Sequence, residues 1–341
     1  ISKDGSVEPC GFLISGDSST QEKPTVAFGY SSGGEDNYLC VWWDYHTLYG
    51  TRIRENEILD PAGITIETSE YGNESPSVAY GAGKYIVVWN TWDGDIKGRT
   101  VSTDGNVSSR FDICTETGSQ YYPRVSSDGT NFFVVWQDNR DGNSEIYGAR
   151  VTSNDSVLDE GGIKLANATG ARGSPDVAFY GYWLCVWEDT RDWVNNIYGT
   201  RVDGNGVVRD DPSIRISDNM DDANYPAISS DGEKFIVTYI ESDRVWNAIV
   251  QTDGSVFSRH YTPSTPAIYR ENKDVAFCDS VFFTLWRQNI PYGCGIVGMR
   301  IDTSGNFLDG GYGVEVGITA TAQRNSDCAY GGDSALVVWK D

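Results

Sequence analysis

The feature that most constrains this chain is a short run of β-branched and aromatic residues ending in a large ring, Phe132-Phe133-Val134-Val135-Trp136-Gln137-Asp138, which recurs from one end of the sequence to the other. Aligned on the ring, the copies fall at Trp42, Trp89, Trp136, Trp187, Tyr239, Trp286 and Trp339, in steps of 47, 47, 51, 52, 47 and 53 residues. A nearly fixed period close to fifty, built on such runs, implies a repeat architecture in which each unit is one small antiparallel sheet.

Each repeat reads as four strands. The first carries a Pro-x-Val-Ala-like core, as in Pro24-Thr25-Val26-Ala27, Pro76-Ser77-Val78-Ala79 and Pro175-Asp176-Val177-Ala178. Proline at a strand start does least damage to the ladder, and small residues suit a crowded inner strand lining a central channel. An Asp-Gly turn such as Asp128-Gly129 leads into the anchor strand, which is apolar at odd and even positions alike and so expects cover on both faces. A wider loop follows, then a third strand typified by Ile146-Tyr147-Gly148-Ala149-Arg150-Val151, another tight turn, and an outer strand like Gly162-Ile163-Lys164-Leu165. Four-stranded units at this period, set radially, make an all-β β-propeller, and seven anchors predict seven four-stranded antiparallel blades. An open solenoid is the alternative. The repeat runs without a compositional break, so residues 1–341 are expected to form one propeller domain.

The two ends read as parts of one blade. Ile1-Ser2-Lys3-Asp4-Gly5-Ser6-Val7 matches the strand exit Val250-Gln251-Thr252-Asp253-Gly254-Ser255-Val256, while the C-terminus stops just after the anchor Trp339. The expectation is a seam blade shared by about residues 1–15 and 326–341, closed by strands from both termini, with most of one third strand missing. That gap is filled by residues of a longer chain or by a strand from a neighbouring subunit, which would make the seam a site of self-association, as in a filament or surface layer. Because the first residue is Ile rather than Met, a mature form or a piece of a longer protein is also expected.

Two repeats carry the fullest motif: Val135-Trp136-Gln137-Asp138-Asn139-Arg140 with Ile146 to Val151, and Val186-Trp187-Glu188-Asp189-Thr190-Arg191 with Ile197 to Val202. This Val-Trp-x-Asp-x-Arg and Ile-Tyr-Gly-x-Arg-Val pattern resembles the β-propeller repeats of bacterial and archaeal secreted or cell-surface proteins. The resemblance implies fold and location, and no single activity.

Composition narrows the partners. Acidic residues outnumber basic ones 49 to 26, for a formal charge of -23, which repels nucleic acid and anionic lipid alike. No apolar stretch is long enough to span a membrane as a helix. The repeat positions of the seven cysteines argue against a disulfide framework: Cys40 and Cys185, three units apart, take the slot held by Val87 and Val134 and read as small buried residues, and free thiols are expected. Sequons at Asn73, Asn106, Asn154 and Asn167, all read as turns or loops, are glycosylation candidates consistent with secretion.

In such a fold the loops joining strands two to three and four to one emerge on one face. They bring up Tyr45, His46, Trp92, Tyr121, Tyr122, Arg140, Arg191, Trp193 and Tyr225, with the acidic run Asp218 to Asp222. Exposed rings beside carboxylates and arginines suit a glycan or a protein partner, and these nine are the ligand-binding candidates. The competing reading is that Asp138 and Asp189 cap their own loops and pair with Arg140 and Arg191. Only His46 and His260 are available as histidines, and neither sits beside a Gly-x-Ser-x-Gly nucleophile, so no catalytic residue is assigned. The oxygen-rich loop from Asp138 to Glu145 puts Arg140 where a calcium loop wants a carboxylate or amide; Asp138, Asp141 and Asp189 are the metal candidates, a structural Ca2+ is the cofactor considered, and no other cofactor is implied. The sequence thus predicts a non-catalytic extracellular binding or assembly module, with a carbohydrate-active hydrolase or lyase as the alternative.

Overall fold

The third repeat shows how a blade is built. Its inner strand Gln120–Ser127 pairs antiparallel with the anchor strand Phe132–Asp138, which pairs with Glu145–Val151, which pairs with the short outer strand Ile163–Lys164. The structure is a computed structural model and describes residues 6–7, 11–16, 20–31, 33–34, 36–69, 72–218, 221–262, 268–290, 293–310, 313–317, 323–331 and 334–341. Sheets of the same order arise from every repeat but the last, the first carrying an additional two-residue outer strand at Glu57–Ile58.

The expectation of seven four-stranded blades is corrected by this topology. Six blades form, and the seventh repeat gives a two-stranded hairpin of Arg324–Gly331 and Ser334–Lys340. Of the expected closure by strands from both termini, the described residues show the C-terminal part, this hairpin. The described residues of the N-terminal segment, 6–7 and 11–16, lie in no strand, although Gly11 rests against the Trp339 ring. Counting anchors counts apolar second strands; a blade also needs partners beyond the anchor, and the seventh anchor has one, among the described residues. The remaining residues assigned to the seam, Ile1 to Gly5 and Glu8 to Cys10, lie outside the described residues.

The ring still closes, because the hairpin stands between blades 6 and 1, its inner strand packed on the inner strands of both. Apolar clusters fill each junction around the circle. Ile86 and Val88 of blade 2 meet Val134 and Trp136 of blade 3, and Val338 of the hairpin meets Val26, Cys40 and Trp42 of blade 1. Anchor strands are therefore covered on both faces, as their unbroken apolar runs require. The motif glycine belongs to this stacking: a Cβ on Gly148 would lie 2.6 Å from the Phe133 ring, closer than any side chain tolerates.

The inner-strand prolines have a more specific reason than a strand start. In each inner strand the pairing register slips by a β-bulge, between Glu22 and Thr25, Tyr121 and Arg124, or Asn224 and Ala227 for instance. Pro24, Pro123 and Pro226 sit inside the slip, where no ladder donor is needed. The residue before each is left-handed: Lys23, Ser75, Tyr122, Ser174 and Tyr225 have φ of 50 to 54°, and Asn325 in the hairpin has 52°. The bulge thus re-aims one side chain in each of blades 1 to 5 and in the hairpin at the same height of the ring.

The third-strand arginine is a clamp. Arg150 pairs in a fork with Asp159 at 2.7 to 2.9 Å and reaches the Gly204 carbonyl of the next blade at 3.0 Å; Arg52–Asp60 and Arg201–Asp210 repeat this geometry, reaching the carbonyls of Thr103 and Thr252. Each blade so held is tied to its neighbour by the same guanidinium.

Among the described cysteines, Cys40, Cys114, Cys185, Cys278 and Cys328 are free and buried. Cys10 lies outside the described residues, and the side chain of Cys294 is not among those described. Since Cys40 and Cys185 fill valine slots at 1% and 0% exposure, Cys40→Val and Cys185→Val are each expected to change stability by about 1 kcal/mol or less. Chemical denaturation checks this; loss of folding in both would give the thiols another role.

Candidate functional site

Adjacent blades meet edge to loop on one face. The backbone N–H of Ser69 donates to the His46 carbonyl, Gln120 to Gly94, Arg172 to Ser144 and Ala223 to Asn195, at 2.8 to 2.9 Å. Each bond ties the start of an inner strand, or the loop just before it, to the two-to-three loop of the preceding blade. Loop residues and bulge residues are therefore neighbours on the same rim.

Among the described residues this rim carries most of the exposed rings. Tyr45, Trp92 and Trp193 project from two-to-three loops at 66%, 68% and 98% exposure, and the bulge residues Tyr122 and Tyr225 are 48% and 36% exposed. Tyr45 stacks on Trp43 at 6.2 Å with His46 edge-on at 5.1 Å. Tyr121 is half-buried beside Tyr122 at 6.2 Å, and the Tyr225 N–H is held by the Glu188 carboxylate at 2.7 Å. Tyr45, Trp193, Tyr122 and Tyr225 all have left-handed backbones, so the fold fixes where these rings start.

Arg140 and Arg191 are placed differently from the aromatic candidates. Asp138 is fully buried, accepting from the Trp136 indole at 2.8 Å, from the Arg140 backbone N–H at 2.9 Å and from the Arg140 guanidinium at 2.6 to 3.0 Å. The same guanidinium lies 4.2 Å over the Tyr147 ring. Asp189 repeats the arrangement with Trp187, Arg191 and Tyr198, whose ring is 4.0 Å from the guanidinium. Burial raises the Asp189 carboxyl, and hydrogen bonds from Arg191 and Trp187 outweigh it, so the net shift is downward from 3.8. Both arginines are thus taken up within the propeller, Arg140 also donating to the Cys114 sulfur of the preceding blade at 3.1 Å.

The metal candidates are occupied too. Asp141 pairs with Lys164 at 2.9 Å and accepts from the Tyr147 hydroxyl at 2.9 Å, and the Lys164 and Tyr147 bonds hold its carboxyl below the usual range. Among the described residues no group of three or more His, Cys, Asp or Glu is arranged to hold a metal ion. Of the acidic run, Asn219 and Met220 lie outside the described residues. Asn106, Asn154 and Asn167 are exposed, whereas Asn73 opens an inner strand opposite Thr91 instead of lying in a turn.

The sequence reading missed Lys23. Its ammonium donates to the Ser75 hydroxyl at 2.9 Å and lies 5.8 Å from the Tyr122 ring, so bulge residues of blades 1, 2 and 3 converge at the rim of the ring. Burial, and after it the charge of Arg124, lower the Lys23 pKa against the pull of Glu74. The signal available was the residue before each inner-strand proline, which reads as unremarkable until the bulge is seen.

No protein-family model matches the chain, and no match exists among curated proteins. Among the described residues no helix is long and apolar enough to cross a membrane. Solved structures do match. The neuraminidase-like protein of A/flat-faced bat/Peru aligns at TM-score 0.54 with 11% identity, over 86% of this chain and 91% of that one. Aleuria aurantia lectin, a mutant solved with α-methyl-L-fucoside, aligns at 0.52 with 10% identity, over 86% and 95%. The α-L-arabinofuranosidase of Fusarium graminearum, solved with arabinobiose, aligns at 0.51 with 12% identity, over 83% and 93%. At such identities the likeness is one of architecture, and it agrees with the sheets described above in making this chain a β-propeller.

Proposed function

We propose that the chain is a non-catalytic binding module of a secreted or cell-surface protein, taking a glycan or protein partner on the rim formed by its two-to-three loops and inner-strand bulges. The observation that carries this reading is the clustering of Tyr45, Trp92, Tyr122, Trp193 and Tyr225, all exposed, on one face. Exposed rings gathered on one side of a protein mark contact surfaces, and Trp and Tyr supply most of the energy at such contacts. Two carboxylates of these loops, Asp138 and Asp189, are buried and held by arginine. The resemblance of the repeats to those of surface proteins, together with the acidic charge, supports the location. Two of the structural neighbours were solved with sugars, which makes glycans the first ligands to test.

The test is a polysaccharide panel read for retention and for cleavage. Retention without new reducing ends or unsaturated products is expected, with Trp92→Ala and Trp193→Ala each weakening it by roughly tenfold, or about 1.4 kcal/mol. Cleavage products from the intact protein would replace this reading with a carbohydrate-active enzyme. Retention unchanged in both variants would remove the rim as the site.

A further inference from the structure

In blades 3, 4 and 6 and in the hairpin, the residue that follows the inner-strand bulge pairs with the residue just before the anchor: Arg124 with Val135, Asp176 with Val186, Asp274 with Leu285 and Asp327 with Val338. The three carboxylates each accept a backbone N–H of the next unit, from Ile228, Cys328 and Val26. Arg124 has only donors and cannot make that staple. Its guanidinium turns back to the Pro123 carbonyl of its own bulge, at 3.2 Å, and the residue is exposed. Inner strands pack on one another around the ring and bound its channel, so an exposed side chain on Gln120–Ser127 opens to that channel or its mouth.

A second cation meets Arg124 at the same bulge. Lys23 reaches over from blade 1, lies 5.8 Å from the Tyr122 ring and gives its hydrogen bond to a neutral group, the Ser75 hydroxyl. The two charges act on each other, since Arg124 is among the causes that lower the Lys23 pKa. Among the described residues neither has a carboxylate within ion-pair distance, whereas most of the other described cations do, from Arg52 and Lys84 to Arg300 and Lys340. The carboxylates nearby are engaged: Glu22 with Lys340 and the Asn325 amide, and Asp176 with the N–H groups of Val177 and Ile228. Glu74 acts on Lys23 from farther off. Two like charges gathered at one bulge, in a chain of net charge -23, favour an anion between them.

We infer that the channel mouth at this bulge takes the carboxylate of an acidic sugar, a uronic acid at the end of a glycan, between Lys23 and Arg124 and beside the Tyr122 ring. A guanidinium fork and an ammonium together suit a planar carboxylate. Tyr122 is 48% exposed, with Tyr121 beside it at 6.2 Å, and offers the ring face that a sugar packs on. The acidic groups Glu22, Glu74 and Asp176 close by limit the guest to a single negative charge, which favours a terminal uronate over a phosphate or a polyanion. The inference rests on the rim being a glycan site and names the class of glycan.

The experiment compares the methyl glycosides of glucuronic and galacturonic acid with those of glucose and galactose, at equal ionic strength, by ligand-observed NMR. A blocked peptide carrying one glutamate is the third probe. At least one uronoside is expected to bind at least tenfold more tightly than its neutral counterpart, and to weaken as salt is raised. Arg124→Gln and Lys23→Gln are each expected to weaken that binding at least tenfold. Arg124 is exposed, so its variant keeps the test valid should Lys23→Gln fail to fold. Equal binding of acid and neutral glycosides, or uronoside binding unchanged in Arg124→Gln, would overturn the inference. Tighter binding of the glutamate peptide would overturn it too, assigning the two cations to an acidic protein segment. Failure of every uronoside while neutral polysaccharides are still retained through Trp92 and Trp193 would remove the uronate and keep the rim; retention of no glycan at all would remove both.

Discussion

Replacing Arg172 by methionine is expected to cost about 3–5 kcal/mol of folding stability, the range for breaking a buried ion pair from one side. Its side chain is fully buried, and its guanidinium serves three acceptors: Asp189 of its own blade at 2.9 Å, Glu145 of the preceding blade, and the Ala168 carbonyl. Removing it leaves Glu145, itself largely buried, with Lys164 at 3.4 Å as its remaining cation, while Asp189 keeps Arg191 and the Trp187 indole. The uncompensated charge therefore sits mostly on Glu145. Arg172→Lys should also be costly, since one ammonium cannot reproduce the planar fork. Adding Glu145→Gln to Arg172→Met should recover part of the loss, because the orphaned charge goes with it. Urea denaturation of the three variants measures this. A loss under about 1 kcal/mol in the methionine variant would mean that water or a rearranged loop reaches Glu145.

Much of the fold was legible because the repeat is written in apolar anchors, and apolar runs are set by burial on both faces. Trp89, Trp136, Trp187 and Trp286, with 0 to 1% exposure, are where the period put them. The number of blades was not legible in the same way. Outer strands here are as short as Ile163–Lys164 or Ile214–Arg215, two residues each, and so short a pairing leaves no hydrophobic period to count. An anchor such as Trp339 therefore reads like the others although its repeat yields a hairpin. The clamp was within reach, since Arg150 and Asp159, Arg201 and Asp210, and Arg300 and Asp309 share one spacing of nine.

The candidate site divides by how local its determinants are. Trp92 and Trp193 stand in loops that the repeat alone places on one face, and their exposure needs no tertiary knowledge. Arg140 and Arg191 carry the same loop signature, yet whether such a residue faces solvent or its own blade depends on the cross-strand partner. Tyr147 and Tyr198 supply that partner as a ring face. Lys23 and Ser75 belong to different blades 52 residues apart, and only the packing of consecutive blades brings them together.

Stability is expected to fall as pH rises from 5 to 8, and Asp327→Asn is expected to flatten that slope. The seam between the hairpin and blade 1 is held in part by this residue: its carboxylate accepts from the Val26 N–H at 2.8 Å, while Asp274 accepts from the Cys328 N–H at 2.7 Å. Asp176 does the same for Ile228 at 2.9 Å, so three inner-strand carboxylates staple neighbouring blades. Burial, then the charge of Asp274, then a hydrogen bond between the two carboxyls, push Asp327 well above its ordinary 3.8; burial takes Asp176 to about 6 against the pull of Arg124. A raised carboxyl favours the protonated folded form, so the stability it contributes is complete below about 3.8 and is lost as pH climbs through the folded value. Asp60 and Asp189 have lowered values and act in the opposite sense, contributing above 3.8 and losing it as pH falls. The two sets together place the optimum in mild acid. With only two histidines in the chain, few other groups change charge between pH 5 and 8, which makes the slope assignable. The side-chain amide that Asp327→Asn introduces keeps one acceptor for the Val26 N–H without the charge, so the variant should be more stable than the parent at pH 8, by a margin that shrinks as pH falls toward 3.8. Asp327→Ala loses the acceptor as well and should be the weaker of the two at every pH. Denaturant midpoints across this range decide it: a parent profile that is flat from pH 5 to 8, or a slope that Asp327→Asn leaves unchanged, would show that these carboxyls ionise freely and that the seam does not answer to their protons.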